Sequence, residues 1–172
     1  EPLPKPEKKS KRIYLVNEPG STQAQIRAGH LGVDRKHPLY KNARLLSYIF
    51  GGGFGSRLNS TIRVEKGLTY GAGGGFTTNR FGGEFKVNTF TKTDAAVETV
   101  KVILDEIDRM REVPPTEEEM RNNQNFLSGT FAISNETPQA VLSSMWEMER
   151  EGYDVSYYKE FLEAIRDMEA YD

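Results

Sequence analysis

The segment GGGFGSRLNSTIRVEKGLTYGAGGG, residues 51–75, constrains the fold of this chain more than any other part of its sequence. It holds nine of the 16 glycines and connects a run with helical periodicity to a run typical of a strand. Glycine-rich turns that open a helix often bind phosphate through their backbone N–H groups. The first question is therefore whether this segment is a phosphate site.

The motifs of phosphate-binding loops are missing from this segment. A P-loop requires G-x-x-x-x-G-K-[ST], and residues 51–75 contain no Gly-Lys-Ser or Gly-Lys-Thr. A dinucleotide-binding fingerprint requires G-x-G-x-x-G between a strand and a helix. Here Ser56 stands where the third glycine belongs, and the preceding run is helical. The glycines must therefore serve another purpose.

The order of the periodic patterns predicts an α+β fold. Alternating apolar residues predict strands at 12–18 and 22–32 and a hairpin formed by 68–79 and 83–92. Apolar residues spaced three and four apart predict helices at 38–50, 56–66, 94–112, 116–132, 137–152 and 155–169. This order of strands and helices indicates an antiparallel or mixed sheet covered by helices, and not a β-α-β alternation.

Side chains in the second half predict where its helices begin and which faces they bury. Thr116 followed three residues later by Glu119 is a capping box. Thr93 and Thr137 are further candidates for N-caps. The apolar positions expected to be buried on these helices are Val97, Val100, Leu104, Ile107, Val141, Leu142 and Met145, with Trp146 in the core or between helices.

Length and composition are typical of one soluble globular domain. The chain has 172 residues, of which 37% are hydrophobic and 28% are charged. Prolines and charged residues predict an extended interdomain linker at 1–10, so that the domain spans 11–172. A net charge of −2 gives no reason to expect nucleic acid or a membrane surface as a partner. The compartment stays undetermined, with bacterial cytoplasm and periplasm both open.

The residues of the commonest catalytic and metal sites are scarce. Cysteine is absent, which excludes thiol nucleophiles and cysteine-ligated zinc. The two histidines, His30 and His37, belong to no H-E-x-x-H or H-x-x-E-H motif, so we expect no metal and no cofactor in this chain. No G-x-S-x-G motif marks a serine nucleophile. The glycosylation motif at 59–61 is of a kind that recurs by chance, and we give it no weight.

Arg63 and Tyr70 form the remaining candidate site. Arg63 lies near the end of the predicted helix 56–66, and Tyr70 follows the turn at Gly67. Such a turn can bring both side chains to one edge, where a guanidinium and a phenol hydroxyl are strong donors for an oxyanion. The same spacing also fits a surface arginine and an ordinary strand tyrosine. Spacing alone leaves both interpretations open.

Two stretches carry a resemblance to a known family, GGGFGSRL at 51–58 and IRVEKGLTY at 62–70. They resemble the C-terminal domain of the pitrilysin/insulinase-type zinc metallopeptidases, the group that includes mitochondrial processing peptidase. The similarity continues in PTEEEM, GTFAISNETPQAV and EGYDVSYYKEFLEAIRDM, and so covers nearly the whole chain after the linker. The resemblance implies an α/β sandwich domain that faces a homologous domain across a chamber.

The resemblance also implies a division of labour between the two domains. The zinc motif H-x-x-E-H of the other domain is missing here, so we expect this chain to be inactive alone, with zinc in its partner domain. Arg63 and Tyr70 match the arginine and tyrosine that hold the peptide substrate and stabilise the tetrahedral oxyanion of a metalloendopeptidase. The loop that the family uses for substrate contact corresponds to Gly51, Gly52, Gly53 and Phe54.

Several alternatives stay open at this point. The glycines would leave room for a peptide backbone, or they would merely permit a tight turn between helices. The chain would act in peptide hydrolysis, as a non-catalytic scaffold subunit of the same family, or as a freestanding peptide-binding module. The pair Arg63 and Tyr70 favours hydrolysis, because a scaffold has no need of it. Family members continue through a further helix and a closing strand, so we expect the domain to be truncated at its C-terminal end.

Overall fold

A computed structural model describes residues 10–79 and 82–171 of the chain. Within these ranges the elements are β1 (Gln23–Leu31), α1 (Tyr40–Phe50), α2 (Arg57–Asn59), β2 (Ala72–Asn79), β3 (Gly82–Lys92), α3 (Ala96–Glu112), α4 (Glu117–Ser134), α5 (Pro138–Glu151) and α6 (Tyr157–Asp167). A π-helical segment, Ser60–Glu65, continues α2, and a 3-10 turn, Thr93–Ala95, precedes α3. The predicted α+β class is confirmed.

The described strands form one antiparallel sheet in the order β1-β3-β2. The central strand β3 places Thr89 opposite Ile26 of β1 and Phe85 opposite Phe76 of β2. Alternate residues of β3, including Phe85, Val87 and Thr89, are buried, as expected for a sheet with one packed face. The predicted hairpin of β2 and β3 is therefore confirmed.

The end of α1 meets β2 backbone to backbone. Gly51 forms an antiparallel bridge with Gly74, and the Gly74 N–H donates to the Gly51 carbonyl at 3.2 Å. A Cβ on Gly51 would lie 2.6 Å from the Gly74 nitrogen, and a Cβ on Gly75 would lie 2.6 Å from Cβ of Ser47. We call Ser47, Gly51, Gly74 and Gly75 the glycine seam. Side chains at these three glycines would force the helix and the strand apart.

Two apolar clusters fill the interior. The first lies between the sheet and the α2–α3 side and contains Ile26, Phe50, Leu58, Ile62, Ala72, Phe85, Val87, Val102 and Ile103. The second joins α1, α4 and α6 and contains Leu45, Ile49, Met120, Leu127 and Ile165. Leu58 and Ile62 are fully buried. The segment between the glycine loop and β2 is therefore fixed by the first cluster.

Arg57 ties α2 to the start of α4. Its guanidinium donates to both carboxylate oxygens of Glu119, at 2.6 and 2.7 Å, and the capping box of Thr116 and Glu119 is confirmed. It also donates to the carbonyls of Val113 and Pro114, at 2.9 and 3.1 Å. The hydrogen bonds from Arg57 lower the pKa of Glu119 to about 2. This ion pair fixes the base from which the π-helical segment extends.

The predicted strand at 12–18 was wrong, and β1 is the first strand that the structure describes. Ile13, Leu15 and Val16 are 95, 92 and 87% exposed. A strand needs a hydrogen-bonded neighbour, and no described strand lies beside this segment. The apolar alternation of its sequence therefore has no partner to pair with in the described part of the chain.

The predicted cap at Thr93 was also wrong, whereas the cap at Thr137 is confirmed. The Thr93 hydroxyl donates to the Ser21 carbonyl at 2.9 Å, and so ties α3 to the turn before β1. A 3-10 turn intervenes, and α3 begins only after Ala95. A hydroxyl that is used in a tertiary contact is no longer available to cap a helix.

The faces expected to be buried on α3 and α5 are largely exposed. Helix α3 buries Thr99, Val102, Ile103 and Glu106, while the predicted Val97, Val100 and Leu104 are 69, 39 and 48% exposed. Ile107 does pack against the first cluster. On α5 the positions predicted to be buried are exposed by 42 to 67%, namely Val141, Leu142, Met145 and Trp146. These predictions were wrong because α3 packs on the neighbouring face that carries Val102 and Ile103, whereas α5 buries only Glu151 among its residues.

Helix α5 is held by polar contacts. Ser144 donates to Asn135 at 2.6 Å, and Arg35 forms an ion pair with Glu147 at 2.5 Å. No helix within residues 10–79 and 82–171 is long and apolar enough to cross a membrane. The predicted linker at 1–10 lies outside the described residues except for Ser10, so the division into linker and domain stays a prediction.

Candidate functional site

A shallow cavity of about 410 Å³ opens at the glycine-rich segment. Its lining consists of Gly51, Gly52, Gly53, Phe54, Asn59, Arg63, Tyr70, Gly71, Ala72 and Gly73. The six residues that the sequence proposes as catalytic or substrate-binding are all in this lining. They come from the loop after α1, from the π-helical segment and from the segment before β2. We call this space the Arg63–Tyr70 cavity.

Arg63 is held at the cavity by the π-helical segment and by Phe54. The Lys66 N–H donates to the Thr61 carbonyl five residues back, at 3.1 Å, which is the π pattern. Ile62 is fully buried, and Arg63 beside it is half-buried. The guanidinium carbon of Arg63 lies 4.2 Å from the centre of the Phe54 ring, a cation–π contact. Phe54, itself 70% exposed, therefore orients the guanidinium without occupying its N–H donors.

The sequence predicted Tyr70 to lie within a strand. In the structure it lies two residues before β2 begins. The backbone on either side of it is tied to β3. Thr91 donates to the Leu68 carbonyl at 2.7 Å, and Thr89 donates to the Gly71 carbonyl at 3.0 Å. The Tyr70 side chain is 84% exposed. Its backbone is therefore fixed while its hydroxyl stays accessible from the cavity.

The glycines of the cavity fall into two groups. A Cβ on Gly51 would lie 2.6 Å from backbone, and a Cβ on Gly52 would lie 2.8 Å from Cα of Tyr48. These two glycines are explained by packing within the domain. A Cβ on Gly53 or Gly71 would meet no atom within 4 Å, and on Gly73 it would make only an ordinary contact at 3.9 Å.

The second group of glycines is not required by the backbone either. The positive φ angles of the described glycines occur at Gly20, Gly67, Gly75 and Gly152, and not at the three open positions of the cavity. We call Gly53, Gly71 and Gly73 the open glycines. Any side chain there would project into space that the domain itself leaves empty. Packing within the domain thus accounts for Gly51, through its approach to β2, and for Gly52, through its approach to α1, but not for the open glycines.

Asn59 also lines the cavity, a position that the sequence did not predict for the site. Its Nδ2 donates to the Gly53 carbonyl at 3.0 Å and contacts Ser56 Oγ at 3.5 Å. Its Oδ1 accepts from the Ala72 N–H at 2.9 Å. The side chain is 9% exposed. The signal available in the sequence was an asparagine inside an otherwise apolar helical face, between Leu58 and Ile62, where a buried amide must find partners.

The cavity offers hydrogen-bond donors and one positive charge. Among the described residues, neither the Arg63 guanidinium nor the Tyr70 hydroxyl has a hydrogen-bond partner. No group of three or more His, Cys, Asp or Glu side chains within 10–79 and 82–171 could hold a metal ion. His30 stacks on Phe85 with ring centres 5.1 Å apart, and His37 accepts from the Leu39 N–H at 3.1 Å. The arrangement suits an oxyanion or a peptide carbonyl.

A second cavity, of about 300 Å³, lies elsewhere in the fold, against α1 and the segment after α6. Its lining is mostly apolar and includes Leu39, Ala43, Leu46, Ile49, Phe76 and Met120. It has no arginine or tyrosine among its lining residues. The arginine and tyrosine side chains that could donate to an oxyanion therefore line the Arg63–Tyr70 cavity and not the second cavity.

Comparison with known proteins identifies related sequences. The family described as "Peptidase M16 inactive domain" matches residues 1–127. A protein of Helicobacter pylori described as "Non-peptidase homolog YmxG" is 28% identical in an alignment 141 residues long, which covers 78% of this chain and 31% of that protein. The chain therefore spans about a third of the length of this relative.

Solved structures share the fold. The peptidase M16 inactive domain from Pseudomonas fluorescens has a TM-score of 0.81 and 30% identity, over 88% of this chain and 36% of that one. An inactive peptidase domain from Bordetella parapertussis, of a protein described as a zinc protease, has a TM-score of 0.73 and 14% identity, over 90% and 84%. A chain of complex III2 from Candida albicans has a TM-score of 0.71 and 18% identity, over 89% and 39%. The last two likenesses concern the fold alone.

Proposed function

Because the chain belongs to the peptidase M16 inactive-domain family, we propose that it is the zinc-free domain of a zinc metalloendopeptidase and assists peptide hydrolysis there. The family expected from residues 51–58 and 62–70 is thereby confirmed. In the proposed role the domain binds the peptide and stabilises the tetrahedral intermediate. The observation that carries the proposal is that Arg63 and Tyr70 line one open cavity together with the glycine loop.

Arg63 and Tyr70 supply the electrostatic part of the proposed reaction. When the peptide carbonyl is attacked, negative charge develops on its oxygen, and donors that are already in place stabilise that charge most. The guanidinium contributes a permanent positive charge and several N–H donors, and the phenol contributes one O–H donor. Both groups lack hydrogen-bond partners among the described residues, so neither has to break a hydrogen bond within the domain before it donates to the substrate.

Zinc belongs to the partner domain in this proposal. Bound there, it would lower the pKa of a water molecule and so generate the nucleophile. The described residues of this chain offer no cluster of metal ligands. They instead bind and orient the peptide from the opposite side. This chain alone would accordingly hold a peptide without cleaving it.

The open glycines support binding of a peptide backbone. A Cβ on Gly53 or Gly71 would meet no atom of the described residues within 4 Å, and one on Gly73 would meet only the Gly51 carbonyl oxygen, at 3.9 Å. Without side chains, these positions let a second backbone approach closely. An extended peptide would lie across them with a carbonyl directed at Arg63 and Tyr70.

A non-catalytic role is the second candidate, and one observation favours it. The curated relative from Helicobacter pylori is described as a non-peptidase homolog. In that role the domain would contribute to the stability or assembly of a larger protein, and the cavity would not take part in any reaction. The two candidates differ in what they require of Arg63 and Tyr70.

Variants of these two residues test the proposal. Assemble the domain with its zinc-bearing counterpart and measure kcat/KM for a flexible peptide with Arg63→Ala and with Tyr70→Phe. We expect each variant to lower kcat/KM by about 10²-fold, the scale for removal of one oxyanion donor. Arg27→Ala and Tyr171→Phe are matched controls, because both residues are exposed and neither lines the cavity.

Equal rates for all four variants would overturn the catalytic proposal. If the assembly cleaves no peptide at all, even with the natural residues, the scaffold role is favoured instead. Binding of the peptide to the zinc-free assembly, measured by calorimetry, separates loss of binding from loss of catalysis. A change confined to KM would assign Arg63 and Tyr70 to peptide binding only.

A further inference from the structure

We infer that Asn59 is a positioning residue that sets the distance between the two walls of the Arg63–Tyr70 cavity, an inference that rests on the function proposed above. One wall is the glycine loop that carries Phe54, and the other is the segment that leads into β2. Asn59 is hydrogen-bonded to both walls, through Gly53 and Ala72.

The first wall is reached through Gly53. The Asn59 Nδ2 donates to the Gly53 carbonyl at 3.0 Å. The next residue, Phe54, places its ring 4.2 Å from the guanidinium carbon of Arg63. The hydrogen bond therefore fixes the loop that orients Arg63. The Gly53 carbonyl also accepts from the Ser56 N–H at 3.2 Å, a bond within the same loop. Loss of the Asn59 bond therefore leaves the loop without its tie to α2, and we expect the Phe54 ring to hold the guanidinium less strictly.

The second wall is reached through Ala72. Ala72 follows Tyr70 by two residues, and its N–H donates to Asn59 Oδ1 at 2.9 Å. Both bonds come from one side chain that is 9% exposed, on the short helix α2. An amide is the side chain that suits this position, because it donates from one end and accepts at the other. The amide is a single rigid bridge between the supports of the two candidate catalytic groups.

Asn59→Asp tests the inference with a minimal change of shape. A carboxylate still accepts from Ala72 but cannot donate to Gly53, and it repels that carbonyl. In the assembly with the zinc-bearing domain, we expect kcat/KM for a flexible peptide to fall about tenfold. Asn135→Asp is the matched control. Asn135 also donates to a carbonyl, that of Phe131, and accepts from a side chain, that of Ser144, but it lies away from the cavity.

A double-mutant cycle separates positioning from general stability. If Asn59 acts through Arg63, the variant Asn59→Asp combined with Arg63→Ala loses no more activity than Arg63→Ala alone, about 10²-fold. A role in stability alone predicts that the two losses multiply, to about 10³-fold. Asn59→Ala, which adds no charge to the interior, is the second variant if Asn59→Asp does not fold. Its loss must likewise shrink in the Arg63→Ala background or in the Tyr70→Phe background.

The outcomes distinguish this inference from the proposed function. The positioning role is overturned if Asn59→Asp keeps full activity, or if its loss multiplies with that of Arg63→Ala and also with that of Tyr70→Phe, while Arg63→Ala itself is strongly impaired. The proposed function stays intact in that case. Full activity of Arg63→Ala overturns both. Three results together support the positioning role. Asn59→Asp lowers kcat/KM, Asn135→Asp leaves it unchanged, and the loss from Asn59→Asp does not multiply with the loss from the catalytic variant, Arg63→Ala or Tyr70→Phe.

Discussion

The glycine seam and the open glycines are neighbours in the sequence and in space, yet they differ in the room that the domain leaves for a side chain. At the seam, Gly51 bridges to Gly74, and a methyl group on either would collide with atoms of the domain. At the cavity, a methyl group on Gly53 or Gly71 would meet nothing within 4 Å. Glycine thus occurs in this segment for two different reasons. At the seam a side chain would clash with the domain, and at the cavity the domain itself gives no reason for its absence.

The difference teaches how to separate stability from function in this domain. Residues on the packed side are constrained by contacts that the folded chain already makes, and changes there alter the free energy of unfolding. Residues on the open side are not constrained in this way. If they matter, they matter through a molecule from outside the domain.

The largest effect is expected at the seam, for Gly51→Ala. The new methyl group would lie 2.6 Å from the Gly74 nitrogen and 2.8 Å from its carbonyl oxygen, and backbone cannot move aside cheaply. We expect the free energy of unfolding to fall by about 3 kcal/mol, measured by urea denaturation. Gly53→Ala is the control and should change it by less than about 0.5 kcal/mol. Equal stability of the two variants would erase the distinction between seam and cavity.

The next largest effect concerns the ion pair that anchors the packed side. In Glu119→Gln, the guanidinium of Arg57 loses its carboxylate while its side chain stays 5% exposed. We expect the free energy of unfolding at pH 7 to fall by about 2–3 kcal/mol. Glu163→Gln is the control, because Glu163 pairs at 4.0 Å with Lys159 on the surface, where such pairs contribute less than about 1 kcal/mol. A loss no larger than that of the control would show that the anchor is dispensable.

The same pair predicts a pH dependence. Hydrogen bonds from Arg57 lower the pKa of Glu119 from 4.5 to about 2 in the folded chain. A lowered pKa stabilises the fold above the unfolded value, and that stabilisation is lost as the pH falls from about 4.5 towards 2. We therefore expect the difference in stability between the natural chain and Glu119→Gln to shrink over this range. A difference that stays constant down to pH 2 would contradict the assignment.

A smaller effect is expected at the open side, for Gly53→Val. The side chain would fill the cavity without disturbing the fold. In the assembly with the zinc-bearing domain, the proposed function predicts that kcat/KM for a flexible peptide falls about tenfold at unchanged stability. Gly55→Val is the matched control. A Cβ on Gly55 also meets nothing within 4 Å, but Gly55 does not line the cavity. If both variants lose activity equally, the effect belongs to the loop and not to the cavity.

The smallest effect is expected for Phe54→Leu. The cation–π contact with Arg63 is exposed and contributes about 0.5–1 kcal/mol. We expect kcat/KM to fall about threefold, because the guanidinium is oriented less strictly. Tyr48→Leu removes a second cation–π contact within the described residues, in which the guanidinium carbon of Arg44 lies 5.5 Å from the centre of the Tyr48 ring, and should leave kcat/KM unchanged. An unaltered Phe54→Leu variant would show that the π-helical segment alone places Arg63.

Local patterns in the sequence predicted much of this fold. The hairpin of β2 and β3 and the caps at Thr116 and Thr137 depend on a few neighbouring residues, and the structure forms all of them. The faces of α3 were not predictable in this way. Thr99 and Glu106 are buried although both are polar. The Thr99 hydroxyl donates to the Ala95 carbonyl, and the Thr61 hydroxyl donates to the Glu106 carboxylate, and a hydropathy pattern does not reveal either bond.

The candidate site was predictable only as a set of residues. The motif around 51–70 identified Arg63, Tyr70 and the glycine loop, and these residues line one cavity. Which glycines face open space depends on how closely α1 approaches β2, and this is a tertiary distance. The role of Asn59 depends on two backbone groups, of Gly53 and Ala72, that lie 6 and 13 positions away from it. No local pattern contains such contacts.

The exposed position of Trp146 on α5 decides how the stability measurements should be made. It is the single tryptophan of the chain, and 67% of it is exposed in the folded domain. An indole that is already in water changes its emission little when the chain unfolds. Unfolding of this domain is therefore better followed by far-ultraviolet circular dichroism, which reports on its helices, than by intrinsic fluorescence.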